Sequence, residues 1–351
     1  MFHAFAHTCH GEKGHQLYYH TACQRAMESI GLVYHAYIPE ENTLPEIPQN
    51  WFLHFPKPYN RSAKKAYLRA SYALFKEAIG PRFFFIETIM RRDMRYFSLG
   101  ALRFGKREDK ICMLFRDNNL LKKKRDKWEV KFFLMLLRKK FGRNLALFTD
   151  TDNLTYFFEK ETKLPFHTLP IPHYDLAPTH VENEKLVVLF PGEPRKEKGG
   201  ELIRKLVADP SYGDIHLACS ASLQVGHLHF GNALPRSEYL DWLKRSDAVL
   251  LPYEAHKYRF RSSGIFVESI SLGKVTLVPD GCWMADELKK YDLEEFIVDF
   301  EMSHFLDHLK KLCKNLSLRE KLKIMQKDYL NQHTPETFAR KLHEVVYNQS
   351  S

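Results

Sequence analysis

The chain has 351 residues, 44% of them hydrophobic and 13% aromatic, with a formal net charge of +10. That much apolar material fills two ordinary cores and excludes a disordered chain, while the excess of Lys and Arg points to an anionic partner: nucleic acid, acidic lipid or a phosphorylated substrate. No run of about 18 apolar residues is present to cross a membrane, and the six cysteines are scattered with no C-x-x-C pair, as in a cytosolic protein with reduced thiols.

Apolar runs alternate with amphipathic ones along the first half. Residues 2–8 read as a strand, 10–14 as a loop, 15–30 as a helix stopped by Gly31, and 32–38 as a second strand. A helix over 62–79 ends at Gly80-Pro81, followed by a strand over 82–87, a helix over 93–103, a strand over 110–115, a long basic helix over 124–141 and a strand over 144–148. This βαβα rhythm predicts a parallel sheet with helices on both faces. Pro, Asp, Thr, Asn and Glu then dominate 173–184, which reads as a linker.

A second α/β unit follows. Strands are expected over 185–190, 214–219, 248–252 and 296–298, helices over 199–207 and 237–245, and further helices from 303 to 347, interrupted at Thr334-Pro335. The architecture expected is two Rossmann-like, doubly wound α/β domains facing each other across a cleft, over 1–175 and 184–335. A last helix over 336–351 is expected to pack back on the first domain. Ligands of such sheets sit at the carboxyl ends of strands.

Two segments carry chemistry. Residues 261–279 read as a helix opened by small polar residues, closed by Gly273 and followed by a buried strand. Ser262, Ser263 and Gly264 leave first-turn amides open for an anion, and Glu268 lies about a turn and a half further on. The pair suits a ligand with both phosphate and hydroxyls. In the second segment, 189–200, a strand passes through a Gly/Pro turn into a helix, with Arg195, Lys196 and Lys198 crowding the helix start. Cations there are disfavoured by about 0.3–1 kcal/mol each. They make sense with an anion between them and the amides, and the alternative is a solvated basic loop.

The motif Phe190-Pro-Gly-x-x-Arg-x-Glu-Lys-Gly199, with Ser263-Gly-Ile-Phe-x-Glu-x-x-x-x-Gly-Lys-Val-x-x-Val-Pro279 after it, resembles the retaining GT-B glycosyltransferases of the "group 1" family. Between them, the stretch 231–253, ending Asp247-x-x-Leu-x-Pro-Tyr253, is similar as well. The resemblance spans about 190–285 and implies a donor domain here and an acceptor domain before it. It implies that Arg195 and Lys198 hold the donor pyrophosphate as catalytic groups, that Ser263 and Gly264 offer amides to it, and that Glu268 receives the ribose hydroxyls. Arg261 would add a phosphate or sugar contact. Gly14, in the turn after the first strand, and His15 would lie on the acceptor side, with Glu87 at its strand's carboxyl end, where capping the next helix is the alternative. The donor implied is a UDP- or GDP-sugar, used without a metal or other cofactor, and the acceptor a carbohydrate or lipid-linked hydroxyl.

Two departures stand out. The family spaces two acids E-x7-E, and Phe260 occupies the first position; Glu193 follows the motif glycine where many members have Arg. Phe260 leaves a non-catalytic sugar-nucleotide-binding or scaffold protein as the alternative function. The cluster His3, His7, Cys9, His10, His15 and His20 lacks any zinc-site spacing, so no metal is expected. The basic run 121–140 has an apolar side with Trp128, Phe132, Met135 and Leu136. That side is expected to pack in the first domain's core; docking on an anionic membrane surface, at the inner face of the cell membrane, is the alternative. No nucleic-acid-binding module is recognisable.

Overall fold

The computed structural model describes residues 1–11, 16–56, 64–80, 82–87, 91–179, 181, 183–192, 195–208, 215–219 and 234–347. They form two compact units, one of 1–174 with 334–351 and the other of 175–333. The elements run β1 (Phe2–Phe5), α1 (Gln16–Ser29), β2 (Tyr34–Pro39), β3 (Trp51–Phe55), α2 (Lys64–Glu77), β4 (Phe83–Ile86), α3 (Arg91–Phe104), β5 (Lys110–Phe115), α4 (Asn119–Lys122), α5 (Lys124–Phe141), β6 (Leu145–Thr149), α6 (Asp152–Thr162) and β7 (His167–Thr168). The second unit holds β8 (Val187–Phe190), α7 (Gly200–Ala208), β9 (His216–Cys219), α8 (Arg236–Arg245), β10 (Ala248–Leu250), α9 (Ala255–Tyr258), α10 (Gly264–Ser271), β11 (Val275–Leu277), α11 (Trp283–Lys289), α12 (Phe305–Lys314) and α13 (Leu316–Gln332). The last helix, α14 (Pro335–Tyr347), belongs to the first unit and packs on α1.

The first unit is a seven-stranded parallel sheet in the order β3-β2-β1-β4-β5-β6-β7. Its central strands β1, β4 and β6 are buried at every residue, as expected where helices cover both faces. The edge strand β3 leaves Phe52 and Leu53 exposed. The chain leaves β1 to build β2 and β3 on one side, then returns to place β4 on the other, which makes the β1/β4 boundary the topological switch point.

The second unit is a four-stranded parallel sheet ordered β11-β10-β8-β9, with its switch point between β8 and β10. The strand expected over 296–298 does not form: Glu294–Phe296 is a short 3-10 turn and Ile297 makes one isolated bridge to Val278. Asp175, inside the segment read as linker, is the first residue of the second unit. Among the described residues no helix is long and apolar enough to cross a membrane.

Candidate functional site

The turn after β8 begins with Pro191-Gly192, where Gly192 takes φ +97°. Glu193 and Pro194 lie outside the described residues. Arg195 is extended, Lys196–Lys198 form a 3-10 turn, and the Arg195 carbonyl accepts from the N–H groups of Lys198 (2.9 Å) and Gly200 (3.1 Å). Gly199 then adopts the left-handed conformation, φ +74°, against the end of the neighbouring strand. A Cβ at this position would lie 2.4 Å from the Pro252 carbonyl oxygen, so only glycine lets the start of α7 approach β10 this closely. The Glu197 carbonyl accepts from Glu254 N–H at 3.0 Å, which ties the turn to the segment after β10.

Three cations converge on this switch point. The Lys198 ammonium lies over the Tyr253 ring, 5.4 Å from its centroid. A Cβ at Gly192 would meet Lys198 Nζ and Ile265 Cδ1 at 3.5 Å each, so the turn after β8 and the first residues of α10 share one neighbourhood. Arg195, half-exposed, reaches Glu197 at 3.4 Å. The Arg261 guanidinium stands 5.2 Å over the Tyr258 ring. Burial raises the Tyr258 phenol above its ordinary pKa, and the charges of Arg261 and Arg195 oppose that rise. Tyr253 and Tyr258 are in contact, with ring centroids 4.4 Å apart, and form an aromatic floor under the cations.

Helix α10 starts beside them. Ser263 is its N-cap, and its hydroxyl accepts from Phe266 N–H at 3.2 Å. The Ser263 side chain thus caps its own helix, and the first-turn amides of Gly264 and Ile265 are those the helix itself does not satisfy. The space where a Gly264 side chain would stand is open to 4 Å. Phe260 does not supply the acid of the family pattern; Arg259 packs over its ring at 5.7 Å.

Glu268 is buried on α10, and both its oxygens are engaged from α8. Arg236 Nη1 donates at 2.6 Å and the Tyr239 hydroxyl at 2.5 Å. Arg236 also forks onto Asp175, with Nε and Nη2 donating at 3.1 and 2.9 Å. A carboxylate accepts along about four directions, and these two donors fix its plane. The sequence reading assigned no role to Arg236, Tyr239 or Asp175. The Arg236/Tyr239 spacing of three on one helix was the available signal, but their partner lies 29 or more residues away.

The acceptor-side candidates behave differently. Gly14 and His15 lie outside the described residues. Glu87 follows β4 at the first unit's switch point, but its side chain is fully buried, 3.2 Å from His20 Nε2 and 3.1 Å from Arg116 Nη2. His20 in turn bonds the Tyr34 hydroxyl at 2.8 Å, and Arg116 stacks on Tyr19 at 4.1 Å. Glu87 is thus the centre of an enclosed network with His20 and Arg116. Nearby, His7 Nε2 sits 3.2 Å from Asp93; burial lowers the His7 pKa, Asp93 outweighs it, and the net direction is up. Among the described residues no group of three His, Cys, Asp or Glu side chains is arranged to hold a metal ion.

No protein-family model matches the sequence, and no curated protein matches it. Solved structures match along nearly the whole chain. Sucrose-phosphate synthase from Thermosynechococcus elongatus superposes with a TM-score of 0.69 at 11% identity, covering 99% of this chain and 98% of that one. WaaG, a glycosyltransferase involved in lipopolysaccharide biosynthesis, gives 0.63 at 14%, covering 99% and 100%. The catalytic domain of starch synthase IV from Arabidopsis thaliana, bound to ADP and acarbose, gives 0.65 at 10%, covering 99% and 98%. Two parallel Rossmann-like sheets and these superpositions give one conclusion about architecture: the chain has the GT-B fold of glycosyltransferases.

Proposed function

We propose that the chain is a glycosyltransferase of the hexosyl-transferring kind, moving a sugar from a UDP- or GDP-sugar onto a hydroxyl of a glycan or lipid-linked acceptor with retention at the anomeric carbon. The observation that carries this reading is the meeting of Lys198, Arg195, Arg261 and the α10 N-terminus at the β8/β10 switch point. Departure of a nucleoside diphosphate concentrates negative charge on its phosphates. Lys198 and Arg195 are placed to neutralise it, and the Gly264 and Ile265 amides to receive its oxygens. Preformed cations and amides suit this task without a metal ion. Glu268, held in one orientation by Arg236 and Tyr239, is the carboxylate that receives the ribose hydroxyls in this reading. The Gly14–His15 turn and the acceptor belong to the first unit in this reading. The five cysteines described as free thiols are all buried, in keeping with a cytoplasmic location.

A thermal-shift screen of UDP-, GDP-, ADP- and TDP-sugars tests the donor. A ligand at about 100 times its dissociation constant stabilises by about 2.7 kcal/mol, which is readable, and silence across all four would defeat the reading. Phe260, at the position of the family's first acid, supports a second reading in which the chain binds the donor without turning it over. Release of nucleoside diphosphate from the donor that shifts the melt separates the two.

A further inference from the structure

We propose that α5 is a membrane-docking helix, with Trp128, Phe132 and Met135 entering the headgroup–acyl boundary of a bilayer and the surrounding cations meeting anionic phospholipids. The inference goes beyond sugar transfer and does not rest on it. The sequence predicts that the side of Trp128, Phe132, Met135 and Leu136 fills the first unit's core; the structure turns the first three outward and leaves Leu136 half-buried. The core is filled instead by Val130, Phe133, Leu134, Leu137 and Phe141, while Trp128 is 67% exposed, Phe132 37% and Met135 58%. Large apolar side chains scattered singly on a surface need no explanation, but these three fall at positions i, i+4 and i+7 and so form one line. The Trp128 and Phe132 rings stack on each other, centroids 5.3 Å apart and nearly parallel at 9°.

The charges around the line are sorted by sign. At 100° per residue the exposed arc of α5 carries Lys124, Arg125, Trp128, Lys131, Phe132, Met135 and Lys139, with the three apolar residues in its middle and no acid. The two acids of the helix lie off this arc and are paired: Asp126 with Arg91 at 3.0 Å and with Arg125 at the arc's edge at 3.6 Å, and Glu129 with Arg91 at 2.8 Å and Arg95 at 2.6 Å. Lys127 pairs with Glu161, and Lys140 donates to the carbonyls of Ala101 and Leu102, so neither belongs to the arc. Exposed Lys122 and Lys123 extend the basic end. The arc reaches about 22 Å from Lys124 to Lys139. A cationic surface that grips nucleic acid places its cations where the phosphates run. Here the middle is a stacked Trp–Phe pair and a Met, which gain by leaving water, and the cations form a rim at headgroup level. Because α5 is already fixed to the core and to α3, docking requires no unfolding or rotation of the helix.

Flotation of the full-length protein with vesicles tests this, using phosphatidylcholine alone and phosphatidylcholine with about 30 mol% phosphatidylglycerol. The wild type should float with the anionic vesicles and remain behind with the neutral ones. The triple variant Trp128→Ser/Phe132→Ser/Met135→Ser and the triple variant Lys124→Glu/Lys131→Glu/Lys139→Glu should each lose about tenfold or more in partitioning. Near-UV circular dichroism and melting temperature establish that both remain folded. Tryptophan quenching by brominated acyl chains, present in the wild type and lost in Trp128→Phe, gives a second reading that needs no destabilising change. Failure of the wild type to bind anionic vesicles would overturn the proposal. So would full binding by the serine variant, or tight binding to duplex DNA that the serine variant retains while vesicles are ignored.

Discussion

The two sheets place polar side chains at equivalent positions, the switch point at the strands' carboxyl ends, and use them in opposite ways. In the first unit Glu87 is closed in by His20 and Arg116, with Tyr34 and Tyr19 behind them, and its carboxylate has no exposed surface. In the second, Arg195 is half-exposed, Gly192 and Gly199 remove side chains from the turn, and Lys198 lies over an aromatic floor. The first arrangement satisfies its charges internally and fixes shape. The second keeps like charges together, which is unfavourable until an anion arrives. The same topological position thus holds an enclosed ion-pair network in one unit and clustered cations, the proposed anion site, in the other.

The largest effect that can test this contrast is on the enclosed network. Glu87→Ala should leave Arg116 buried without its carboxylate and cost about 3–5 kcal/mol, read by urea denaturation. If stability holds and only turnover falls, Glu87 contacts substrate and the contrast breaks. Lys198→Ala should do the reverse, lowering turnover by about 10²–10³-fold with the melting temperature unchanged. A normal rate in that variant removes Lys198 from the site. Gly199→Ala should cost about 1–3 kcal/mol, because its Cβ meets the Pro252 carbonyl and its φ is positive, and it should weaken donor affinity by moving Lys198.

The smallest expected effect is a pH slope. Burial, with His35 adding to it, pushes the His3 imidazole down to about 3. Between that value and the ordinary one near 6.5 the unfolded chain binds a proton that the folded chain refuses. Its contribution is therefore present above about pH 6.5 and lost as the pH falls toward 3. His3→Phe should flatten the loss of stability between about pH 7 and about pH 5 by about 1–2 kcal/mol, and parallel wild-type and variant curves would show that His3 bears no part of it.

The central strands were legible because runs such as Phe83–Ile86 and Lys110–Phe115 are apolar throughout, the mark of a sheet covered on both faces. Edge strand β3 was not, since Trp51–Phe55 has neither a continuous buried run nor clean alternation. The strand expected over 296–298 failed for want of a neighbour beyond the single Val278 bridge. In the site, Arg195, Lys198 and Ser263 could be singled out because they mark or break the local rules of a helix start. The clamp on Glu268 could not, because Asp175 lies in a stretch whose composition reads as linker and joins Arg236 only through the fold. Helix α5 is apolar on two arcs, and periodicity cannot say which one faces inward.

The return of the chain to the first unit at residue 334 has a consequence for how the protein is made. Phe338 of α14 packs edge-on against Phe85 of the central strand β4 and Tyr19 of α1, so the sheet emerging first from the ribosome lacks part of its cover until the last helix is synthesised. The second unit has all its own elements before that moment and can fold while translation continues. The order of completion is therefore the reverse of the order of synthesis, and a chain cut before residue 334 should retain an intact second unit beside a first one with an uncovered apolar face.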